Sequence, residues 1–176
     1  ITVELYSTKV INGSVSMYAN ASFRLEMNDS VIDYKSDKYC ALALEGQGTA
    51  IINNSNIHGS INTFAKTNAE LDINNSEADY ILLHGQTWMN MLNTTVRATD
   101  DSCLYLSDDC WSNIMNSKFA GGVYVDKKTR TIIQNCTINR MVVINEAKVT
   151  MSNSTVTAHS DFQDEATCEA TRVSFM

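Results

Sequence analysis

Two acidic pairs, Asp100-Asp101 and Asp108-Asp109, bracket two cysteines, Cys103 and Cys110. Carboxylates gathered like this could hold a calcium ion or work as a catalytic pair on a glycosidic bond. Neither chemistry has its usual frame here. No spaced Asp-x-Asp-x-Asp-Gly loop accompanies them, and short acidic runs are ordinarily solvated turns. His58, His84 and His159 fall at different phases of the repeat described below and do not converge. No nucleophile elbow, phosphate loop or metal-ligand spacing appears. The expectation is a chain that is not an enzyme, with no catalytic residue, no cofactor and no metal. Five cysteines leave at least one unpaired if disulfides form. Cys103 and Cys110 flank one short strand and are the candidates for a local bridge in an oxidising compartment. Cys136 reads as a small buried thiol; Cys40 and Cys168 take no assignment.

The elements that position these groups come from an internal repeat. Its unit is Φ-x-Φ-x-Asn-[Ser/Thr]-x-Φ, with Φ apolar. Clear copies are Ala50-x-Ile52-x-Asn54-Ser55-x-Ile57, Leu71-x-Ile73-x-Asn75-Ser76-x-Ala78 and Met89-x-Met91-x-Asn93-Thr94-x-Val96. Ser112-x-Ile114-x-Asn116-Ser117-x-Phe119, Thr131-x-Ile133-x-Asn135-Cys136-x-Ile138 and Val149-x-Met151-x-Asn153-Ser154-x-Val156 follow. Two weaker copies precede them, around Asn12 and Asp29. The mean spacing is about 20 residues.

Alternation within Φ-x-Φ marks a strand with one buried face. Second strands are expected at 41–44, 60–64, 81–83, 104–106, 123–125 and 142–144. A unit this short cannot bury its own apolar face, so the units must stack. The predicted fold is all-β: a parallel β-helix solenoid of the pectin-lyase-like kind, about eight coils over 1–176, as one segment of a longer solenoid. The Leu-x-x-Leu-x-Leu pattern of leucine-rich repeats is absent. The structural ladder is expected at Asn12, Asn54, Asn75, Asn93, Asn116, Asn135 and Asn153, each Asn bonding neighbours above and below to satisfy turn backbone. The ladder also generates sequons such as Asn12-Gly13-Ser14 and Asn135-Cys136-Thr137, whose Asn is expected to be poorly accessible. Ile1-x-Val3-x-Leu5 reads as the close of a preceding coil and Val173-x-Phe175 as the opening of a ninth.

Departures from a repeat are where function is sought. Insertions at 33–40 and 97–102 share one point of the repeat and are expected to project from one side. The outward site before the first Φ reads Ser7, Arg24, Thr49, Glu70, Trp88, Trp111, Arg130 and Lys148. Both tryptophans therefore share one column on adjacent coils. With Leu92 and Met115 they form an outward apolar patch, Asn90 and Asn113 lie between, and Arg130 could stack on Trp111. Such a patch marks an interaction site unless another segment covers it.

Composition bounds the class. The chain has no proline, 19% charged residues and a formal charge of −7. That acidity excludes a nucleic-acid face, while 44% hydrophobic content excludes plain disorder. Apolar runs are too short to span a membrane.

On its Asn-Ser repeat the chain resembles the passenger domains of bacterial autotransporter adhesins. The likeness is to the self-aggregating and diffuse-adherence class, through Ile52-Asn53-Asn54-Ser55-Asn56-Ile57 and Met151-Ser152-Asn153-Ser154-Thr155-Val156. Five cysteines are a departure from such passengers, which carry few. Filamentous-haemagglutinin-like proteins share a repeat near this length. The resemblance implies an extracellular segment at the bacterial surface, tied to the membrane only through a C-terminal anchor outside this sequence. It implies adhesion or self-association, with a host-surface protein, a glycan or another copy as partner. The competing readings are a carbohydrate-active β-helix enzyme and a plain spacer. Against the enzyme, outward Glu26 and Asp72 lie on nonadjacent coils, with Arg24 the only basic neighbour.

Overall fold

The computed structural model describes residues 1–34 and 40–176, except for the side chains at 19–21. The chain winds as an all-parallel β-solenoid of about eight turns. Each coil adds one strand to each of three sheets. The first sheet stacks Thr2–Tyr6, 24–28, 49–53, 70–74, 88–92, Trp111–Met115, Arg130–Gln134, Lys148–Ser152 and Thr167–Thr171. The second sheet runs from Lys9–Ile11 through Val31–Asp33 and Thr95–Val96 to Ser174–Phe175. The third contains 15–18, 42–45, 61–63, 81–83, Leu104–Leu106, 123–125, 141–143 and Asp161–Phe162. Among the described residues no helix is long and apolar enough to cross a membrane.

The alternation in each unit sends Leu25, Met27, Ile52, Leu71, Ile73, Met91, Ile114, Ile133 and Met151 inward, where all are buried. They stack into a continuous core that no single coil could form. The chain then turns through a left-handed residue at the first corner, with φ between 46° and 55°: Ser7, Asp29, Asn54, Asn75, Asn93, Asn116, Asn135, Asn153 and Arg172. Asn and Asp tolerate this region better than other non-glycine residues, which explains the repeat's most constant letter.

Four expectations need correction here. Asn12 is left-handed too, but it stands at the second corner, because Lys9–Ile11 pairs with Val31–Asp33 in the second sheet. The first copy is therefore Val3-x-Leu5-x-Ser7-Thr8-x-Val10, with Ser7 as its corner residue. Ile1-x-Val3-x-Leu5 belongs to that coil and closes no earlier one. Ser7 accordingly leaves the outward column, and Thr2, the register partner of Arg24, takes its place. At the far end, Cys168-x-Ala170-x-Arg172 opens the ninth coil, and Ser174–Phe175 is its second strand.

The ladder also differs in its atoms. The buried corner N–H groups are met by the hydroxyl that follows the Asn. Ser30 N donates to Ser55 Oγ at 3.1 Å, Ser55 N to Ser76 Oγ at 3.1 Å, and Thr94 N to Ser117 Oγ at 3.2 Å. Each of these seryl hydroxyls donates in turn to the carbonyl two residues back, as Ser55 does to Asn53 at 2.7 Å. The corner Asn residues from Asn54 to Asn153 are exposed, so the expectation that they are poorly accessible fails. Asn-to-Asn bonds do occur, from Asn93 to Asn75 at 3.0 Å and from Asn135 to Asn116 at 3.1 Å. A second amide stack one residue earlier links Asn74 to Asn53 and Asn53 to Asn28.

Both insertions fall at the second corner. Residues 35–39 of the first lie outside the described residues. The second, 97–102, lies down on the next coil. Gly122 N donates to Asp100 O at 3.2 Å and Cys103 N to Gly122 O at 2.8 Å. A Cβ on Gly122 would sit 1.8 Å from Asp101 O, so the glycine is what lets the loop lie flat.

Candidate functional site

Strands Gln86–Leu92 and Trp111–Met115 pair in register, Trp88 with Trp111, Asn90 with Asn113 and Leu92 with Met115. Inward Met89, Met91, Ser112 and Ile114 anchor both strands, so the alternate side chains must face out. The indole rings stack with centroids 5.0 Å apart and planes inclined by 33°. Trp88 remains 56% exposed, Trp111, Leu92, Met115 and Asn113 are half-buried, and Asn90 is exposed. Asn90 Nδ2 donates to Asp72 Oδ1 at 2.9 Å on the coil before.

Arg130 is the register partner of Trp111 and is exposed. Among the described residues no cation–π stack of Arg130 on Trp111 forms, and the Trp111 ring packs on Trp88 instead. Ile132, which pairs with Asn113, extends the apolar patch by one coil. The phase of Thr131-x-Ile133 sends Ile133 inward and leaves Ile132 on the outer face.

No family model, curated protein or solved structure matches the chain. What the geometry supports by itself is an all-parallel β-solenoid, consistent with pectin-lyase-like folds.

The remaining candidates separate in space. Asp100 and Asp101 lie at the second corner and Asp108 and Asp109 at the third, with Leu104–Leu106 between them, so the two pairs form no common site. Asp100 accepts the Tyr80 hydroxyl, which pushes the phenol up to about 12. Asp101 lies 3.9 Å from Arg140. The histidines are apart as well: His58 meets Arg97 at 3.2 Å, His84 faces Asp108 at 3.7 Å, and His159 meets Asp161 at 3.1 Å. Among the described residues no three His, Cys, Asp or Glu side chains gather as for a metal ion.

Cys103 and Cys110 are free thiols, which corrects the disulfide expectation. They occupy different corners, separated by a strand and a turn. A bridge requires Cα atoms closer than about 7 Å. Cys103 packs beside Gly121, whereas Cys110 points at the Gly85 carbonyl, with Sγ 3.7 Å from the oxygen.

Sequence reasoning missed a polar cluster at the third corner. Lys127 Nζ bonds Asp108 at 2.5 Å, and Asp108 also accepts Gly85 N at 3.1 Å. The Tyr105 hydroxyl donates to Asp126 at 2.9 Å, and the Asn145 amide donates there too. The Lys127 ammonium, then Gly85 N–H, hold the Asp108 carboxyl below its ordinary range, while Asp108 raises Lys127. Burial raises Tyr105. For Asp126 burial also acts upward, but the Asn145 and Tyr105 hydrogen bonds prevail and the carboxyl ends lowered. The signal available was a second left-handed column, Gly85, Asp108, Lys127, Asn145 and Asp164, which is masked in the sequence by its mixed residue types.

Proposed function

We propose that this chain is a non-enzymatic adhesive segment of a surface-displayed β-helix, of the bacterial autotransporter-passenger kind, acting outside the cell. The observation that carries the reading is the exposed Trp88–Trp111 stack on a flat sheet face. Large aromatics on a soluble surface cost free energy unless a partner covers them, and such residues dominate interaction hot spots. Asn90, Asn113 and Arg130 supply a polar rim, and Leu92, Met115 and Ile132 enlarge the apolar centre. The partner is a host-surface protein or glycan, or another copy.

The charge pattern along the face supports a copy as one such partner. Glu70 precedes the tryptophan rungs and Arg130 follows them in the same column. Turning a second chain over about an axis along the strands, midway between Trp88 and Trp111, sets Glu70 opposite Arg130 twice over. That is the self-complementarity an isologous contact needs.

The test is adhesion of beads coated with the chain, to one another and to host-cell monolayers, with Trp88→Ala/Trp111→Ala as the comparison. The wild type adheres and the double variant loses most of that adhesion. Equal adhesion by the two would remove the face from the account.

A β-helix is also compatible with a carbohydrate-active enzyme, and the His84–Asp108–Lys127 cluster is the place to look for one. Release of reducing ends from polysaccharide, abolished by Asp108→Asn, would establish that reading instead.

A further inference from the structure

A furrow runs beside the tryptophan column where the third corner meets the first sheet. Gln47, Asn68 and Gln86 are register partners on three successive coils, and all three are exposed. They form a column of amides at the rung spacing of about 4.8 Å. Two residues further along each strand stand Thr49, Glu70 and Trp88, the parallel column across the furrow. The residues between them, Gly48, Ala69 and the buried Thr87, leave the floor low. The resulting groove encloses about 390 Å³ and shares Asn68 with a neighbouring groove of about 420 Å³ that runs on past Gln86 to Asp109.

We infer that this furrow is a binding cleft for an uncharged polysaccharide lying along the solenoid axis. The chemistry on its two walls is what a sugar chain needs. An exposed indole offers an apolar face to pyranose C–H groups, and planar amides and a carboxylate pair with vicinal hydroxyls. Trp88 supplies the first, and Gln47, Asn68, Gln86 and Glu70 supply the second. The amide column repeats once per coil, a length comparable to one pyranose unit of a linear chain, so successive residues of one polymer meet equivalent groups.

Other ligand classes fit less well. Peptide recognition by strand addition needs an open sheet edge. On this flank every rung of the first sheet from 49–53 to 88–92 is paired above and below, so no edge is offered. A polyanion meets Glu70 and Asp109 against Lys66 and is repelled on balance. The inference extends the adhesive reading and rests on it, since a surface-displayed segment has glycans within reach.

The experiment is isothermal titration calorimetry of the whole chain with hexaoses of β-1,4-linked glucose and β-1,4-linked mannose, and with polygalacturonate as the anionic control. At least one neutral hexaose is expected to bind saturably, with polygalacturonate weaker. Trp88→Ala should abolish the binding, and Asn68→Ala/Gln86→Ala should weaken it at least about tenfold, the scale of the hydrogen bonds removed. All these side chains are exposed, and unchanged far-ultraviolet circular dichroism will verify the fold. Absence of binding by both neutral hexaoses, tighter binding of polygalacturonate, or binding unaffected by either variant overturns the inference. If coated beads still adhere while no neutral hexaose binds, the furrow inference falls and the adhesive reading stands. If neither occurs, both fall.

Discussion

The backbone N–H of Ser117 donates to Cys136 Sγ at 3.4 Å, whereas at Ser30, Ser55 and Thr94 the corresponding N–H meets a hydroxyl oxygen. Cys136 Sγ also lies 3.2 Å from the Gln134 carbonyl, reproducing the seryl contact with a poorer donor and acceptor. Cys136→Ser should therefore stabilise the chain by about 0.5–1 kcal/mol, the net worth of one ordinary hydrogen bond. Cys136→Ala should destabilise it by about 1–3 kcal/mol, because the buried Ser117 N–H loses its partner. Urea unfolding followed by circular dichroism measures both. A destabilised serine variant would show that the site is tuned to sulfur volume.

The corner Asn residues adopt left-handed backbone, which Asn tolerates better than most residues. Asn54 has φ 49° and an exposed side chain, so replacing it tests conformation with little packing change. Asn54→Ala should cost about 1 kcal/mol, and Asn54→Gly should change stability by less than about half of that. Equal losses in thermal melts would point to the side chain instead.

These two cases mark how far the sequence could be read. The repeat, the parallel stack and the outward tryptophan column follow from alternation and spacing alone, whereas the short strands of the second sheet, such as Thr95–Val96, are too brief to alternate visibly. The role of the hydroxyl column did not, because Asn and Ser recur together and only atomic contacts separate corner conformation from backbone bonding. The first coil was misplaced for a related reason. Ser7 lacks the Asn letter at the true corner, while Asn12 carries it at another. The furrow was hidden because Gln47, Asn68 and Gln86 lie before the repeat unit, where coil lengths differ and register cannot be counted.

The Asp108–Lys127 pair makes stability depend on pH. Because the folded carboxyl is held below its ordinary range, its contribution is present above the unfolded pKa near 4 and is lost as pH falls through the lower folded value. The melting temperature of the wild type should exceed that of Asp108→Asn at neutral pH, and the gap should close in strong acid. A gap independent of pH would leave the pair without an electrostatic role.

Burial raises the Cys103 and Cys136 thiols and pushes Cys110 up to about 11. Thiolate is the reactive form, so iodoacetamide at mildly alkaline pH should modify these three only after denaturation. Mass spectrometry of the native and unfolded chain counts the labels. Rapid native labelling of Cys103 or Cys110 would contradict their placement in the core.

The adhesive face proposed at Trp88 and Trp111 has a direct test. They are the only two tryptophans in the chain, so acrylamide quenching of intrinsic fluorescence reports on that face alone. Measured on the free chain and on the same chain adhered to its partner surface, quenching should be strong at first and should fall sharply on adhesion. Adhesion with quenching unchanged would place the contact elsewhere on the solenoid and contradict the account.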